Sequence, residues 1–472
     1  MPLPSLTAKA AFERADYPVV VVGAGQAGLS ISYLLKQQGI EHLVLEKRQV
    51  GFAWREQRWD TFCLVTPNWQ CTLPGFPYDG TDPEGFMLKD EIVDYLARYC
   101  QAFAPPVVEG IGVERITQDA DGRYSVYTAQ GMVRAGQVVI ATGGYQTPVL
   151  PAMAAAIPPE IEQVHSVDYK NPASLPPGEV MVVGTGQSGC QLAEDLHLAG
   201  RRVHLCVGEA PRVARRYRGQ DVVAWLDQMG YYDLPVDKHP LGAGVREKTN
   251  HYVTGRDGGH DIDLRQFALE GMQLYGRLTD IRDGNAYFDE RLAEYLDGAD
   301  AVSESIKTGI DKFIGERGID APEEARYVPV WRPEQAVTEQ AFAGITTVIW
   351  CIGFRSDYDW IQVPVFDAKG YPKHDRGVTP AAGLYFLGLP WQYSWGSGRF
   401  SGVARDAQFL LDAIVQHVRQ PGDGGGITAS SVSGRPGESM GTGVGKRTET
   451  GTAAADGGRL DGVPRNNARV SA

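Results

Sequence analysis

Residues 20–28 read VVVGAGQAG, and residues 181–189 read MVVGTGQSG. At this constant offset of 161 residues, Gly23, Gly25 and Gly28 of the first copy fall on Gly184, Gly186 and Gly189 of the second. An apolar run of strand type leads into each G-x-G-x-x-G, and a helical stretch follows in which Ile31 and Leu35 match Leu192 and Leu196. Each stretch ends at a glycine, Gly39 or Gly200, before a second strand, HLVLE (42–46) or VHLCV (203–207). A lone pattern of this kind is weak, but two in matched frames predict two nested Rossmann-like dinucleotide-binding domains, an α/β fold. The first glycine allows the tight turn, the second lets the backbone approach a pyrophosphate, and the third lets helix pack on strand. The helix N-terminus then stabilises the phosphate charge.

The copies differ where the ribose is read. Glu46 ends the second strand of the first unit, where a carboxylate accepts hydrogen bonds from ribose hydroxyls, and its counterpart is Val207. The segment after Val207 supplies Arg212, Arg215, Arg216 and Arg218, which can hold a 2′-phosphate by bidentate contacts. The first unit therefore suits FAD or NAD and the second NADP. Glu209 is close enough to serve as an NAD-type ribose acceptor instead, and an arginine run is as readily a solvated face.

Two further apolar runs, QVVIATGGYQTP (137–148) and TTVIWCIGFRSD (346–357), read as buried strands bounded by glycine turns. GLYFLG (383–388) reads as a strand, followed by an aromatic and glycine loop and a helix from about Gly402 with apolar positions Val403, Ala407, Leu410, Leu411, Ile414 and Val418. This order nests one unit inside the other. Residues 1–177 and 346–420 are expected to form an FAD-binding domain and 178–345 an NADP-binding domain with a helical insertion from Asp289 to Gly315. Residues 421–472 hold 13 of the 57 glycines and no aromatic residue, which predicts a disordered tail.

The formal charge is −13, a balance poorly suited to nucleic acid or anionic lipid. Neither a secretory signal nor an apolar run of membrane-spanning length is present, so a soluble cytoplasmic protein without membrane partners is expected. The six cysteines (63, 71, 100, 190, 206 and 351) form neither a C-x-x-C pair nor a zinc-ligand spacing, and no metal site is expected. Oligomeric state is not encoded in any motif.

The order of the two glycine motifs with GFAWREQRWDTF, TPNWQCTLPGFPYDG, HSVDYKNP, RVARRYRG, WCIGF and GLYFLGLPW resembles flavin-containing monooxygenases of the two-dinucleotide-domain type, over roughly residues 17–418. VGTGQSGCQLAEDLHLAGR, VTGRDGG and WGSGRFSGVARDAQ look like a bacterial subgroup of flavin-dependent oxidoreductases often encoded beside nitrilases.

The resemblance implies that Gly23, Gly25, Gln26, Ala27, Gly28, Glu46, Lys47, Trp54, Arg55, Thr66, Val113, Ala141, Thr142, Gly143 and Gly388 bind FAD. NADPH falls to Gly184, Gly186, Gln187, Ser188 and Gly189, with Arg212, Arg215 and Arg216 on its 2′-phosphate. Asn68, after Thr66 and Pro67, takes the place of the asparagine that hydrogen-bonds the oxygenated flavin, although Asn beside Pro is also ordinary turn chemistry. His165, Ser166 and Tyr169 match part of an interdomain fingerprint whose Phe and Gly positions are held here by Pro159 and Ile161. Trp59, Trp69, Trp391, Tyr393 and Trp395 either wall a substrate pocket or belong to the core.

The function implied is an FAD- and NADPH-dependent oxidoreductase, a monooxygenase that forms a flavin hydroperoxide from oxygen and oxygenates a small nitrogen-containing or similar nucleophilic substrate. Alternatives are a flavin reductase or oxidase and a non-catalytic flavin-binding regulator.

Overall fold

The computed structural model describes residues 7–419. The glycine-rich stretch expected to be a disordered tail lies outside them. Valine-rich runs build two separate sheets, as strands buried on both faces require.

The first sheet has eight strands. Its path runs Ile361–Gln362, Val113–Gln118, Tyr124–Thr128, Gly131–Ile140, Asp16–Val22, His42–Leu45 and Val107–Val108, with Leu384–Phe386 also paired to Gly131–Ile140. Asp16–Val22 lies parallel to both of its neighbours, the strand His42–Leu45 and the strand Gly131–Ile140. One face, through Val19, Val21 and Val139, carries the helices Gln26–Gln37, Lys89–Phe103 and Val403–Arg419. The last helix buries Val403, Ala407, Leu410, Leu411 and Ile414, whereas Val418, in its final turn, is 55% exposed.

The second sheet is parallel throughout, in the order Glu162–His165, Ile345–Trp350, Glu179–Val183, Val203–Cys206 and Gln273–Tyr275. This corrects the expected boundaries, which put residues 162–165 and 346–350 with the first unit. A strand buried on both faces has the same composition in either sheet, so its neighbours are not legible in its own residues. From Gln273–Tyr275 the chain enters a separate antiparallel meander of Leu278–Arg282, Asn285–Phe288 and Glu339–Ala341, interrupted by the helix Leu292–Arg317, before returning as Ile345–Trp350.

The duplication therefore extends beyond the motif. In the first unit, too, the chain passes from Val107–Val108 through an antiparallel meander to the strand beside Asp16–Val22. Val108 O accepts from Glu46 N at 3.0 Å, and Tyr275 O accepts from Val207 N at 2.9 Å, so these two strands are counterparts.

Candidate functional site

Both glycine loops sit at the carboxyl end of a central parallel strand, and steric limits account for their spacing. A Cβ on Gly23 would lie 2.7 Å from Ala141 O, and one on Gly184 would lie 2.7 Å from Cys351 O. A Cβ on Gly28 would lie 1.8 Å from Gly23 O, and one on Gly189 would lie 1.9 Å from Gly184 O. The middle glycines differ: nothing lies within 4 Å of a Cβ on Gly25, and on Gly186 only Thr249 Cγ2, at 3.6 Å. Each loop is thus closed against strand and helix and open at the one position where a phosphate approaches, so the residues present fit a dinucleotide.

Around the first loop, Glu46 Oε2 accepts from Ala24 N at 2.7 Å and Oε1 accepts from Arg48 N at 2.8 Å. Burial pushes its carboxyl up from the ordinary value, and these two N–H donors oppose that. Gln26 is bound on both sides. Its Nε2 donates to Gly398 O at 2.9 Å, and its Oε1 accepts from Trp54 Nε1 at 3.0 Å. Gly388 closes on the same helix, where a Cβ would sit 2.8 Å from Ala27 Cβ. Ala141, Thr142 and Gly143 follow Gly131–Ile140, and Gln146 Nε2 donates to Thr142 Oγ1 and to Gly143 O, both at 2.9 Å. Val113 opens the meander, and Lys47 and Arg55 are exposed.

In the second unit Gln187 Nε2 donates to Val253 O at 2.5 Å, and Ser188 follows it in the first turn of the helix Gln187–Leu198. That helix carries buried Asp195, which accepts from Thr61 Oγ1 at 2.6 Å and Tyr169 Oη at 2.7 Å and pairs with Arg256 at 2.9 Å. Tyr169 of the fingerprint, packed in the core of the second sheet, thus shares one carboxylate with Thr61. His165 and Ser166 are buried beside it, and burial lowers the His165 pKa.

The arginine run does not form the expected phosphate clamp. Arg212 is buried in an ion pair with Asp300 at 2.9 Å and lies over the Tyr327 ring. Arg215, also buried, pairs with Asp221 at 2.5 Å and donates to Val65 O at 2.7 Å, stitching the second unit to the loop that precedes Asn68. Arg218 pairs with Asp311 at 3.0 Å. Of the four, Arg216 alone is exposed. Sequence reading missed a different pair, Arg277 and Arg291, whose guanidiniums approach Glu209 at 3.6 and 3.7 Å. Asp289 Oδ1 accepts from the backbone N–H of both, at 3.1 and 3.2 Å, and so holds the two together. Gly276 beside Arg277 was the available signal, because a Cβ there would meet Asp289 O at 2.2 Å.

Asn68 is buried with its amide committed to the chain. Oδ1 accepts from Met87 N at 2.8 Å and Nδ2 donates to Asp82 O at 2.9 Å, while Thr66 is half-buried nearby. Of the aromatic candidates, Trp59 and Trp391 are buried, Trp59 in edge contact with Phe62, whereas Trp395 is half-buried beside Tyr232 and Arg399.

The six cysteines are all free thiols. Burial pushes Cys63 up to about 11 and Cys71, Cys100 and Cys351 up to about 12, and moves Cys190 and Cys206 further the same way. Thiols so raised carry little thiolate at pH 8. Iodoacetamide is therefore expected to label the native protein at least about tenfold more slowly than the urea-unfolded chain. Rapid labelling of one cysteine, located by peptide mass mapping, would contradict this.

No helix among the described residues is long and apolar enough to cross a membrane, and those residues hold no His, Cys, Asp and Glu group suited to a metal ion.

Comparison with known proteins gives a consistent picture. The family model for pyridine nucleotide-disulphide oxidoreductases matches residues 20–229. An uncharacterized CzcO-like oxidoreductase of Geobacillus kaustophilus (strain HTA426) is 34% identical over 403 residues, spanning 84% of this chain and 98% of that protein. Indole-3-pyruvate monooxygenase YUCCA4 of Oryza sativa subsp. japonica is 30% identical over 221 residues, 43% of this chain and 50% of that protein. The solved structure of a flavin-containing monooxygenase from Stenotrophomonas maltophilia shares the fold at TM-score 0.59 and 20% identity, over 85% of this chain and 99% of that one.

Proposed function

This chain belongs to the CzcO-like oxidoreductases, and from that premise we propose that it is an FAD- and NADPH-dependent monooxygenase acting on a small molecule. The observation that carries the reading is the pair of sterically matched glycine loops, each open at its middle glycine and each heading its own sheet. Two dinucleotides in one chain suit hydride transfer from a nicotinamide to a flavin. The naming of YUCCA4 and of the Stenotrophomonas protein as monooxygenases supports oxygen as the electron acceptor. The buried, raised thiols speak against a dithiol as the outlet.

The residues that would hold FAD are Gly23–Gly28, Glu46, whose carboxylate suits the ribose hydroxyls, Trp54, Val113, Gly388 and the turn after Ile140. Bound there, FAD supplies two-electron reduction of oxygen, with one oxygen atom passing to substrate and one to water. The chain's part is positioning. Gln26 fixes Trp54 and Gly398 relative to the loop, and Asn68 holds the 82–87 segment through one of its two amide hydrogens and its carbonyl oxygen. Asp195 fastens the second unit to the 59–65 segment and so sets the distance between the two sites.

The nicotinamide cofactor would be held by Gly184–Gly189, with Arg277 and Arg291 rather than the arginine run to receive its 2′-phosphate. The linker from the third strand into the meander is residues 109–112 in the first unit and 276–277 in the second. In the first unit this linker touches the residue after the ribose acceptor, since a Cβ on Gly112 would lie 3.4 Å from Lys47 Cγ. Arg277 occupies the corresponding place beside Glu209. Two arginines about one carboxylate leave a net positive site at the ribose end. Arg277→Ala and Arg291→Ala are each expected to weaken NADP+ binding about tenfold, roughly 1.4 kcal/mol, with NAD+ binding unchanged and Arg216→Ala silent. Titration calorimetry on the flavin-loaded protein checks this, and a reversed pattern between Arg277 and Arg216 contradicts it.

The reading as a whole is tested by NADPH-driven turnover under isotopically labelled oxygen with a panel of small acids, amines and sulfides. Label in an organic product is expected. Release of all reducing equivalents as peroxide would instead make the protein an oxidase.

A further inference from the structure

In this acidic chain the buried arginines are neutralised one by one. Arg212 has Asp300, Arg215 has Asp221, and Arg265 has Asp297 and Asp300. Arg58 and Arg399 are half-buried and, like half-buried Arg201 and Arg246, lack a carboxylate partner among the described residues. Each guanidinium of the first two makes a single hydrogen bond, Arg58 to Gln57 O at 2.7 Å and Arg399 to Trp395 O. Each lies instead on an indole face, Arg58 at 5.0 Å from the Trp54 ring centre and Arg399 at 3.9 Å from that of Trp395.

Both flank one aromatic pair, Trp54 and Phe400, beside the first glycine loop. Trp54 stacks on Phe400 at 5.4 Å, and Phe400 follows Arg399 in the chain. Gln26, in the first turn after the first glycine loop, bonds both Trp54 and Gly398. Phe62 adds a second ring beneath Arg58, at 5.4 Å. The phenol of Tyr145 is the ionisable neighbour common to both guanidiniums, and burial lowers both of their pKa values while leaving both side chains half-buried rather than sealed. A guanidinium has five N–H donors in a planar fork suited to carboxylate. Two such groups, poorly hydrated and without a counter-ion, are costly to keep unless an anion from outside completes them.

We propose that the substrate is an organic acid, whose carboxylate is held by Arg58 and Arg399 and whose apolar body rests among Trp54, Phe62 and Trp395 beside the flavin. This deepens the flavoenzyme reading above and rests on it. The cofactor phosphates have their own places at the open middle glycines, which leaves this pair for the substrate.

The test uses the flavin-loaded protein and a matched pair of probes, phenylacetate and phenylacetamide, followed by the perturbation of flavin absorbance on titration at low salt. The acid is expected to bind at least about tenfold more tightly than the amide. That preference should vanish in Arg58→Met and Arg399→Met and persist in part in Arg58→Lys and Arg399→Lys, which retain the charge. Equal response to the two probes, including no response to either, overturns the proposal. So does loss of flavin or of NADP+ affinity in the methionine variants, which would assign the arginines to a cofactor phosphate. A wild-type protein that takes up no flavin would instead sink the underlying reading.

Discussion

Gly28→Ala is expected to lose most of its flavin, whereas Gly189→Ala is expected to keep the flavin and to be reduced by NADPH only at far higher concentration. The reason is local and severe. The added methyl would lie 1.8 Å from Gly23 O in the first case and 1.9 Å from Gly184 O in the second, far inside contact distance and against backbone that has no rotamer to yield. Relief requires the loop to spread from its helix, and a spread loop no longer presents its N–H groups to one phosphate. Flavin content of purified Gly28→Ala should fall to about a tenth of wild type or less, and Gly189→Ala should need about a hundredfold more NADPH for the same rate of flavin bleaching. Absorbance of the purified proteins and stopped-flow reduction measure the two effects. Exchange of the phenotypes would reverse the assignment of the two loops.

The second large effect concerns Arg215. Its pair with Asp221 is buried on both sides, so removing one partner strands the other charge. Arg215→Met and Asp221→Asn are each expected to destabilise the protein by about 3–5 kcal/mol, with the double variant recovering a large part of the loss. Arg215 also donates to Val65 O, so the loop before Asn68 should loosen with it. Denaturant unfolding followed by tryptophan fluorescence reads the stability. If Arg215→Met were as stable as wild type and lost NADP+ affinity, the arginine would be the phosphate ligand that its sequence context suggested.

That contrast marks where sequence stops being informative. The glycine triplets were legible because the outer two glycines of each answer to steric demands set by the loop itself or by the neighbouring strand, and the middle one stays open. The helices after them were legible for the same reason, as their apolar faces repeat at fixed spacing. The fate of the arginine run was not. Asp300, Asp263 and Asp311, which help to neutralise it, come from a distant helix and loop, and a cation carries no mark of its partner. Nor did the run Ile345–Trp350 reveal its sheet, since its neighbours Glu162–His165 and Glu179–Val183 decide that. Arg277 carried one signal, the glycine before it, but Arg291 is tied to it only through Asp289. Arg58 and Arg399 emerged from what they lack, a carboxylate, which no stretch of sequence displays.

The central claim is that two nucleotides on two loops exchange a hydride within this one chain. Anaerobic titration of the flavin-loaded protein with NADPH tests it most directly. Complete bleaching of the flavin band at one NADPH per flavin, and its return on admitting air, is expected. A flavin that stays oxidised under excess NADPH, in a protein that binds both nucleotides, would contradict it.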